Sequence, residues 1–345
     1  MDSDASRLAA TVLSAVPVFV VTGGTRGIGL AVCRGIVAAS PSALLIFTGR
    51  DAAAGAIAEA ELRQLGGVNA TYVESDMCDD ACADAVLAKL PPGVAIAGLV
   101  NNAAMNTKDP TQVYAMLRAN VGGPRTLTAA LLPHMAYGAR VVNVTNNNAV
   151  TSLATGEAAA LLRACGSQGA DARGQGGDGG GQGGDDNGGR GKRKRKSGLM
   201  AADRKKLGGA EADDAHADRF EAERGWEALD AAMAHCTTSL GLADPAARAS
   251  SGWPEKGGYT CPKQLLAALT RVQRVNAFFA ERGVVVTACD PGWTQTAMTA
   301  GKPAPLTPAQ GADTVLWLLL EMEAEEAESG IYYKRKCHGW HAAYR

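Results

Sequence analysis

A tyrosine and a lysine four positions apart are the residues of this 345-residue chain whose types and spacing best suggest catalysis. In a helix, Tyr259 and Lys263 would lie one turn apart on the same face. A nearby ammonium group favours the phenolate, lowers the pKa of the phenol and makes tyrosine a usable proton donor and acceptor near neutral pH. Pro262 requires Tyr259 to lie at the very start of the helix, where proline is tolerated. This short pattern is weak evidence alone, so the elements around it decide its interpretation.

A glycine-rich turn near the N-terminus has the composition of a phosphate-binding turn. The apolar residues 16–21 predict a buried parallel strand, and residues 30–39 predict a helix. Gly23, Gly27 and Gly29 lie between them, where a Cβ would hold a phosphate away from the backbone. Backbone N–H groups and the positive end of a helix dipole meet at such a turn, which suits a pyrophosphate. Glycine turns after strands also occur without a ligand, so both interpretations stay open.

Charged residues after the next two strands bear on the choice of nucleotide. Arg50 follows the second predicted strand, and Arg26 lies in the glycine turn. Two guanidinium groups near one ribose favour NADPH over NADH, because guanidinium pairs with a 2′-phosphate through charge-assisted bonds. Asp51 is better explained as a helix N-cap than as a ligand of the ribose. Asp76, at the end of the third strand, would lie beside the adenine or cap the following helix.

Strand and helix patterns alternate along the chain, which is typical of an α/β protein. They predict a doubly wound parallel sheet, the Rossmann fold, in a single domain with a long insert. The predicted strands are residues 16–21, 43–48, 71–76, 94–100, 140–145, 284–289 and 330–333. The predicted helices outside the insert are residues 30–39, 52–65, 80–90, 112–132, 264–282 and 307–328.

Five motifs in this order resemble the short-chain dehydrogenase/reductase superfamily. The glycine turn has that superfamily's spacing, Asn101-Asn102-Ala103-Ala104 is similar to its Asn-Asn-Ala-Gly, and Pro291-Gly292 with Thr296 is similar to its Pro-Gly-x-x-x-Thr. Asn120 in the helix before the fifth strand and the Tyr-x-x-x-Lys pair complete the set. More narrowly, the chain resembles the NADPH-dependent carbonyl reductases in Trp253-Pro254, in residues 288–293 and in the enlarged segment before the tyrosine. One domain of this type over residues 1–345 is therefore expected.

The resemblance implies transfer of hydride from NADPH to the carbonyl of a small aldehyde, ketone or quinone. Tyr259 would donate the proton, Lys263 would lower the pKa of Tyr259 and hold the nicotinamide ribose, and Asn120 would support Lys263 through a water. The residues expected at the NADPH/NADP+ site are Gly23, Thr25, Arg26, Gly27, Ile28, Gly29, Arg50, Asp76, Asn102, Ala103, Tyr259, Lys263, Pro291, Gly292, Thr294 and Thr296.

One position departs from the superfamily's pattern. Where relatives carry a serine that binds the substrate oxygen, this chain has Asn146. Its amide keeps a hydrogen-bond donor and would replace the serine, although it is bulkier than a hydroxyl. Nearby substitutes are Asn147, Asn148, Thr151 and Ser152. A strand-ending cluster without a catalytic role is an equal possibility. The alternative function is therefore an NADP(H)-binding protein with weak or no catalysis, acting as a sensor or interaction protein.

The insert spans about residues 154–250. Residues 166–191 contain 13 glycines among 26 residues, and we predict disorder over 166–198 because nothing there buries enough apolar area. The basic run Lys192–Lys196 is best explained as a solvated charge run, with a nuclear-import signal as the alternative. After this segment, a stripe of apolar residues predicts an ordered helix over Phe220–Met233.

Composition limits the remaining possibilities. A net charge of −1 gives no general attraction to nucleic acid or membrane, and no apolar run is long enough for a membrane span. Residues 8–21 are better explained as a leader and strand than as a signal peptide. Eight cysteines without paired spacing favour reduced thiols, a cytoplasmic location and no metal site. The resemblance implies a monomer, because in carbonyl reductases this insert covers the face that other members use to oligomerise.

Overall fold

Seven parallel strands form one sheet in this computed structural model, which describes residues 16–66, 69–107, 109–146, 154–165, 211–242, 244–254, 257–322 and 332–334. The strands are β1 Val18–Val21, β2 Leu44–Gly49, β3 Ala70–Glu74, β4 Ile96–Asn101, β5 Met135–Val144, β6 Val285–Asp290 and β7 Tyr332–Lys334. Their order in space is β3-β2-β1-β4-β5-β6-β7. The order reverses between β1 and β4, where a doubly wound sheet opens a crevice at its carboxyl edge. The predicted fold class is confirmed.

Helices cover both faces of the sheet. They are α1 Gly27–Ala39, α2 Ala52–Gln64, α3 Cys82–Leu87, α4 Val113–Leu117, α5 Gly123–Leu131, α6 Gly156–Ala164, α7 Glu211–Gly241, α8 Pro245–Ser250, α9 Gly257–Arg274, α10 Ala277–Glu281 and α11 Pro308–Leu316. One apolar core joins the sheet to α1, α2 and α11, and a second joins the opposite face to α3, α5 and α10. In β1, Phe19 and Val21 enter the first core while Val18 and Val20 enter the second, as the two-residue period of a strand requires.

The predicted helix over residues 112–132 is not one continuous α-helix. It divides into α4 and α5, which are joined by a π-helical turn over Arg118–Gly122. The predicted strand at 140–145 begins earlier, at Met135, because Met135 pairs with Ile96 before the register shifts and Arg140 pairs with Gly98. The predicted helix over 264–282 also divides, into α9 and α10.

The helix α7 of the insert packs antiparallel along α9. A Cβ added to Gly225 of α7 would lie 3.5 Å from Val272 of α9, and eleven residues further along α7 the Cys236 thiol is hydrogen-bonded to Cys261. This helix is longer than the predicted stripe and also packs against α4 and α6. A third apolar core lies among these four helices. The segment predicted to be disordered and the run Lys192–Lys196 lie outside the described residues.

Several expected absences can be examined over the part of the chain that the structure describes. None of the described helices combines the length and the apolarity that crossing a bilayer requires. The seven cysteines with described positions are free thiols. In the same residues, no three His, Cys, Asp or Glu side chains form a group suited to a metal ion.

Candidate active site

The glycine turn after β1 is shaped by the protein's own close contacts. Gly23 and Gly27 have φ angles of +66° and +58°, in the left-handed region that glycine adopts without strain. A Cβ on Gly29 would lie 2.1 Å from the Gly23 carbonyl oxygen, and one on Gly23 would lie 2.9 Å from Ala103 Cα. The turn therefore closes on itself and against the end of β4, and only glycine permits both approaches.

Hydrogen bonds of the Asn102 side chain connect the glycine turn to the end of β4. Its Nδ2 donates to the carbonyl oxygens of Thr22, at 2.9 Å, and Gly23, at 3.2 Å. The Thr22 hydroxyl in turn accepts from the backbone N–H groups of Asn102 and Ala103, each at 3.0 Å. Asn102 and Ala103 are thus brought to the glycine turn. Thr22, which the sequence analysis did not single out, links the two segments, and its position directly after a buried strand was the available signal.

The N-terminus of α1 has the features of an anion site. Its N-cap residue Arg26 makes no side-chain capping hydrogen bond, and the first turn of the helix contains no acidic residue. The backbone N–H groups of this turn and the helix dipole therefore suit an external negative charge, which is the property that a pyrophosphate needs. Ile28 lies in this first turn and packs against the core beside α1. Thr25 lies against Gly49, where an added Cβ would be 2.6 Å from Thr25 Cγ2.

Arg50 and Asp76 lie together beyond the ends of β2 and β3. Arg50 Nη1 is 3.8 Å from Asp76 Oδ2, and both side chains are exposed. Asp76 Oδ1 also accepts from the backbone N–H of Cys78 at 2.9 Å, and Asp76 is not the N-cap of α3. Asp51 is a helix N-cap as predicted, because its Oδ1 accepts from Ala54 N at 3.0 Å.

Tyr259 and Lys263 lie on one face of α9, with Lys263 Nζ 5.4 Å from the centre of the Tyr259 ring. Lys263 is only 1% exposed, and its Nζ donates to the Val144 carbonyl oxygen at 2.6 Å. Burial lowers the pKa of Lys263 to about 8, and nearby Cys289 opposes that shift. Val144 ends β5, so the lysine joins α9 to the carboxyl edge of the sheet.

Two expectations about this helix were wrong. Burial raises the pKa of Tyr259 above its ordinary value, whereas the sequence predicted that Lys263 would lower it. The reason is that desolvation penalises the phenolate, while the ammonium group is directed at the Val144 carbonyl. Tyr259 lies in the first turn of α9, but the helix starts at Gly257, so Pro262 falls inside it and has no N–H for the carbonyl of residue 258.

Asn120 is buried in the π-helical turn between α4 and α5. Its Oδ1 accepts from Met105 N at 3.0 Å, and its Nδ2 donates to Met105 O at 2.7 Å. The side chain therefore holds the segment after β4. Asn146 is half-buried two residues after β5. Its neighbours Asn147, Asn148, Thr151 and Ser152 lie outside the described residues.

The loop after β6 lies against the glycine turn. Gly292 has a φ of +77°, and its N–H donates to Asp290 Oδ1 at 2.8 Å, so Asp290 shapes the Pro291-Gly292 turn. Thr294 is buried, and its hydroxyl contacts the Pro291 carbonyl oxygen at 3.3 Å. A Cβ on Gly27 would lie 3.3 Å from Thr296 Cγ2. The structure thus brings Thr296 to the turn, whereas the Thr294 hydroxyl is used within the loop.

The comparisons with known proteins agree with this geometry. Residues 17–158 match the family model described as short chain dehydrogenase. NADPH carbonyl reductase 1 of Pongo abelii is 34% identical over 149 residues, which are 41% of this chain and 52% of that protein. The match thus spans about half the length of that relative.

Solved structures show the same fold. Salutaridine reductase from Papaver somniferum aligns over 93% of this chain and 100% of its own, with 20% identity and a TM-score of 0.64. NADPH-bound carbonyl reductase from chicken fatty liver aligns over 93% of this chain and 97% of its own, with 19% identity and a TM-score of 0.54.

Residues 17–158 are thus similar to short-chain dehydrogenases, and the sheet order and the glycine turn agree with that similarity. Among the proteins compared, the chain resembles the carbonyl reductases.

Proposed function

We propose that this protein is a reductase that transfers hydride from NADPH to the carbonyl carbon of a small aldehyde, ketone or quinone. The observation that carries the proposal is the placement of Tyr259 and Lys263 on α9, with the lysine bonded to the end of β5. Active sites of open α/β sheets lie at this carboxyl edge, beside the crevice where the strand order reverses. The resemblance to carbonyl reductases supports the same reaction class.

The residues on the nucleotide side fit NADPH. The uncapped N-terminus of α1 would hold the pyrophosphate, and Arg26 and Arg50 would hold the 2′-phosphate. Lys263 would hold the nicotinamide ribose, and Thr296 would lie on the nicotinamide side. Bound NADPH would supply the hydride, and the chain's own residues would position the substrate and move the proton.

Tyr259 is suited to donate a proton in the direction of reduction. Because burial keeps its pKa above the ordinary value, its Oη carries the proton at neutral pH and can pass it to the carbonyl oxygen as that oxygen gains charge. Lys263, whose pKa burial lowers to about 8, would lie beside the ribose and the Tyr259 ring while it stays bonded to the Val144 carbonyl. Asn146 would donate a hydrogen bond to the same carbonyl oxygen in place of the superfamily's serine.

A monomer is the oligomeric state that we propose. The helix α7 covers parts of α4 and α9, and we expect that face to be unavailable to a second copy. Among the described side chains of α7, the exposed ones in the middle of the helix include four charged residues, Glu223, Arg224, Glu227 and Asp230. Charged residues of this kind disfavour a stable dimer interface.

Purified protein mixed with NADPH and a panel of aldehydes, ketones and quinones tests the proposal. We expect loss of the nicotinamide absorbance with at least one carbonyl class, and less activity with NADH. Tight NADPH binding without turnover on any member of the panel would contradict the reductase and support the second candidate.

That second candidate is an NADP(H)-binding protein with weak or no catalysis. It is favoured by Asn146 at the serine position and by Pro262 within the catalytic helix. Under this hypothesis, Asn146→Ser should raise turnover from a low level. Robust turnover by the unaltered protein would dispose of it.

A further inference from the structure

A buried series of hydrogen bonds connects the middle of the sheet to the catalytic helix. Asn101 of β4 and Asn143 of β5 are cross-strand neighbours, and Asn101 Nδ2 donates to Asn143 Oδ1 at 2.8 Å. Asn143 Nδ2 donates to Thr270 Oγ1 of α9 at 2.9 Å. The Thr270 hydroxyl donates to the Leu266 carbonyl oxygen at 3.0 Å. All four residues are at most 1% exposed.

The direction of these bonds fixes the side chain of Asn143. Its oxygen accepts from one strand and its amide nitrogen donates to the helix, so rotating the amide by half a turn would oppose donor to donor. Thr270 accepts one bond and donates another, which uses its single hydroxyl proton. In a site without exposure to water, loss of the Thr270 hydroxyl leaves Asn143 Nδ2 with only the longer 3.5 Å contact to Gln273 Oε1.

The catalytic lysine is held to the same strand end. Thr270 and Lys263 lie seven residues apart on α9, which is two turns, so they share a face about 10 Å apart along the axis. Thr270 bonds the side chain of Asn143, and Lys263 bonds the carbonyl of the next residue, Val144. Asn143 and Lys263 thus attach the helix to β5, and Asn143 Nδ2 also lies 3.5 Å from Gln273 Oε1 of the same helix. Tyr259 lies one turn beyond Lys263.

We propose that Asn143 and Thr270 are positioning residues that set where Lys263 and Tyr259 stand relative to the end of β5. This inference rests on the proposed function, because it gives those two residues a site to position. Without the Thr270 bond, the Asn143 side chain keeps only the longer 3.5 Å contact to Gln273 Oε1, so α9 is held less firmly against the strand. Water would then reach Lys263, and Tyr259 would lose its alignment with the substrate carbonyl.

Thr270→Val tests the inference, because it removes the hydroxyl while it keeps the volume and the branching of the side chain. The matched control is Thr128→Val on α5. Thr128 Oγ1 accepts from Asn101 Nδ2 at 3.1 Å and is buried, but α5 bears neither Tyr259 nor Lys263. Thr270→Ser restores the hydroxyl and should behave as wild type. If Thr270→Val does not fold, Asn143→Ser is measured in its place.

Both valine variants should lower Tm, because each removes a buried hydroxyl that accepts from an asparagine amide. Only Thr270→Val should lower kcat, by about tenfold, with little change in KM for the carbonyl. It should also move the pH midpoint at which NADPH affinity falls, measured by NADPH fluorescence, upward from about 8, because burial is what lowers the pKa of Lys263.

Equal kcat and equal pH midpoints in Thr270→Val and Thr128→Val would overturn the positioning role. A wild type that binds NADPH without turnover would contradict the proposed reductase alone, and the pH midpoint would still decide the positioning role. A wild type that does not bind NADPH would overturn both.

Discussion

Replacing the buried Lys263 by methionine should reveal how much free energy the folded protein loses by keeping a charge in its interior. Lys263 is 1% exposed, and burial lowers its pKa from an ordinary 10.5 to about 8. That difference in pKa corresponds to about 3 kcal/mol, by which protonation of Lys263 in the folded protein lowers the free energy of unfolding. Lys263→Met keeps the length of the side chain and removes the charge. It also removes the hydrogen bond to the Val144 carbonyl, which would cost about 1 to 3 kcal/mol.

The dependence on pH is the distinctive part of this prediction. The unfolded chain keeps the Lys263 proton up to about pH 10.5, whereas the folded protein keeps it only up to about pH 8. Between these values the unfolded state binds more protons, so the free energy of unfolding of the wild type rises with pH. The variant lacks this contribution. Wild-type stability relative to Lys263→Met should therefore be constant below about pH 8 and rise by up to about 3 kcal/mol as pH increases toward 10.5 and above.

Urea unfolding of both proteins across this pH range measures the difference directly. Other titrating groups cancel, because both proteins share them. Lys89→Met, at an exposed lysine, is the matched control and should follow the wild type at every pH. A difference between wild type and Lys263→Met that does not change with pH would refute the reasoning, because it would mean that Lys263 is not desolvated in the folded protein.

Three further changes test other parts of the site and the insert. Asp76→Asn removes the carboxylate 3.8 Å from Arg50 and should raise NADPH affinity by up to about fivefold in fluorescence titrations, a modest gain because both groups are exposed; unchanged affinity would contradict their competition. Gly29→Ala places a methyl group 2.1 Å from the Gly23 carbonyl oxygen and should weaken NADPH binding at least about tenfold and lower Tm; wild-type binding would contradict the closed turn. Leu229 lies on α7 and points into the third apolar core, so Leu229→Ala should lower the free energy of unfolding by about 2 to 5 kcal/mol in urea titrations. A loss below about 1 kcal/mol would mean that α7 is loosely attached.

The sheet could be predicted from the sequence because each strand is recognisable from its own residues and its immediate neighbours in the chain. A buried parallel strand such as β1 reads as a continuous apolar run, and the glycines after it mark a turn that only glycine can form. The N-cap role of Asp51 was predictable for the same reason, since it depends on residues three positions away. The order of motifs then placed Tyr259, Lys263 and the glycine turn at one edge of the sheet.

Features that depend on distant partners could not be predicted. The pKa of Tyr259 follows from burial, and a spacing of four residues to Lys263 does not reveal that the ammonium group faces Val144 instead. The π-helical turn around Asn120 has the same apolar pattern as an α-helix, and only its bonds to Met105 distinguish the role of its side chain. Each of these depends on contacts between segments far apart in the sequence.

In the proposed function, the Tyr259 hydroxyl delivers the proton in an NADPH-dependent carbonyl reduction. Tyr259→Phe removes only that hydroxyl, so NADPH affinity, measured by fluorescence, should stay close to wild type. NADPH oxidation with a saturating carbonyl substrate should fall by about 100-fold or more. Oxidation of NADPH by Tyr259→Phe as fast as by wild type would contradict the account.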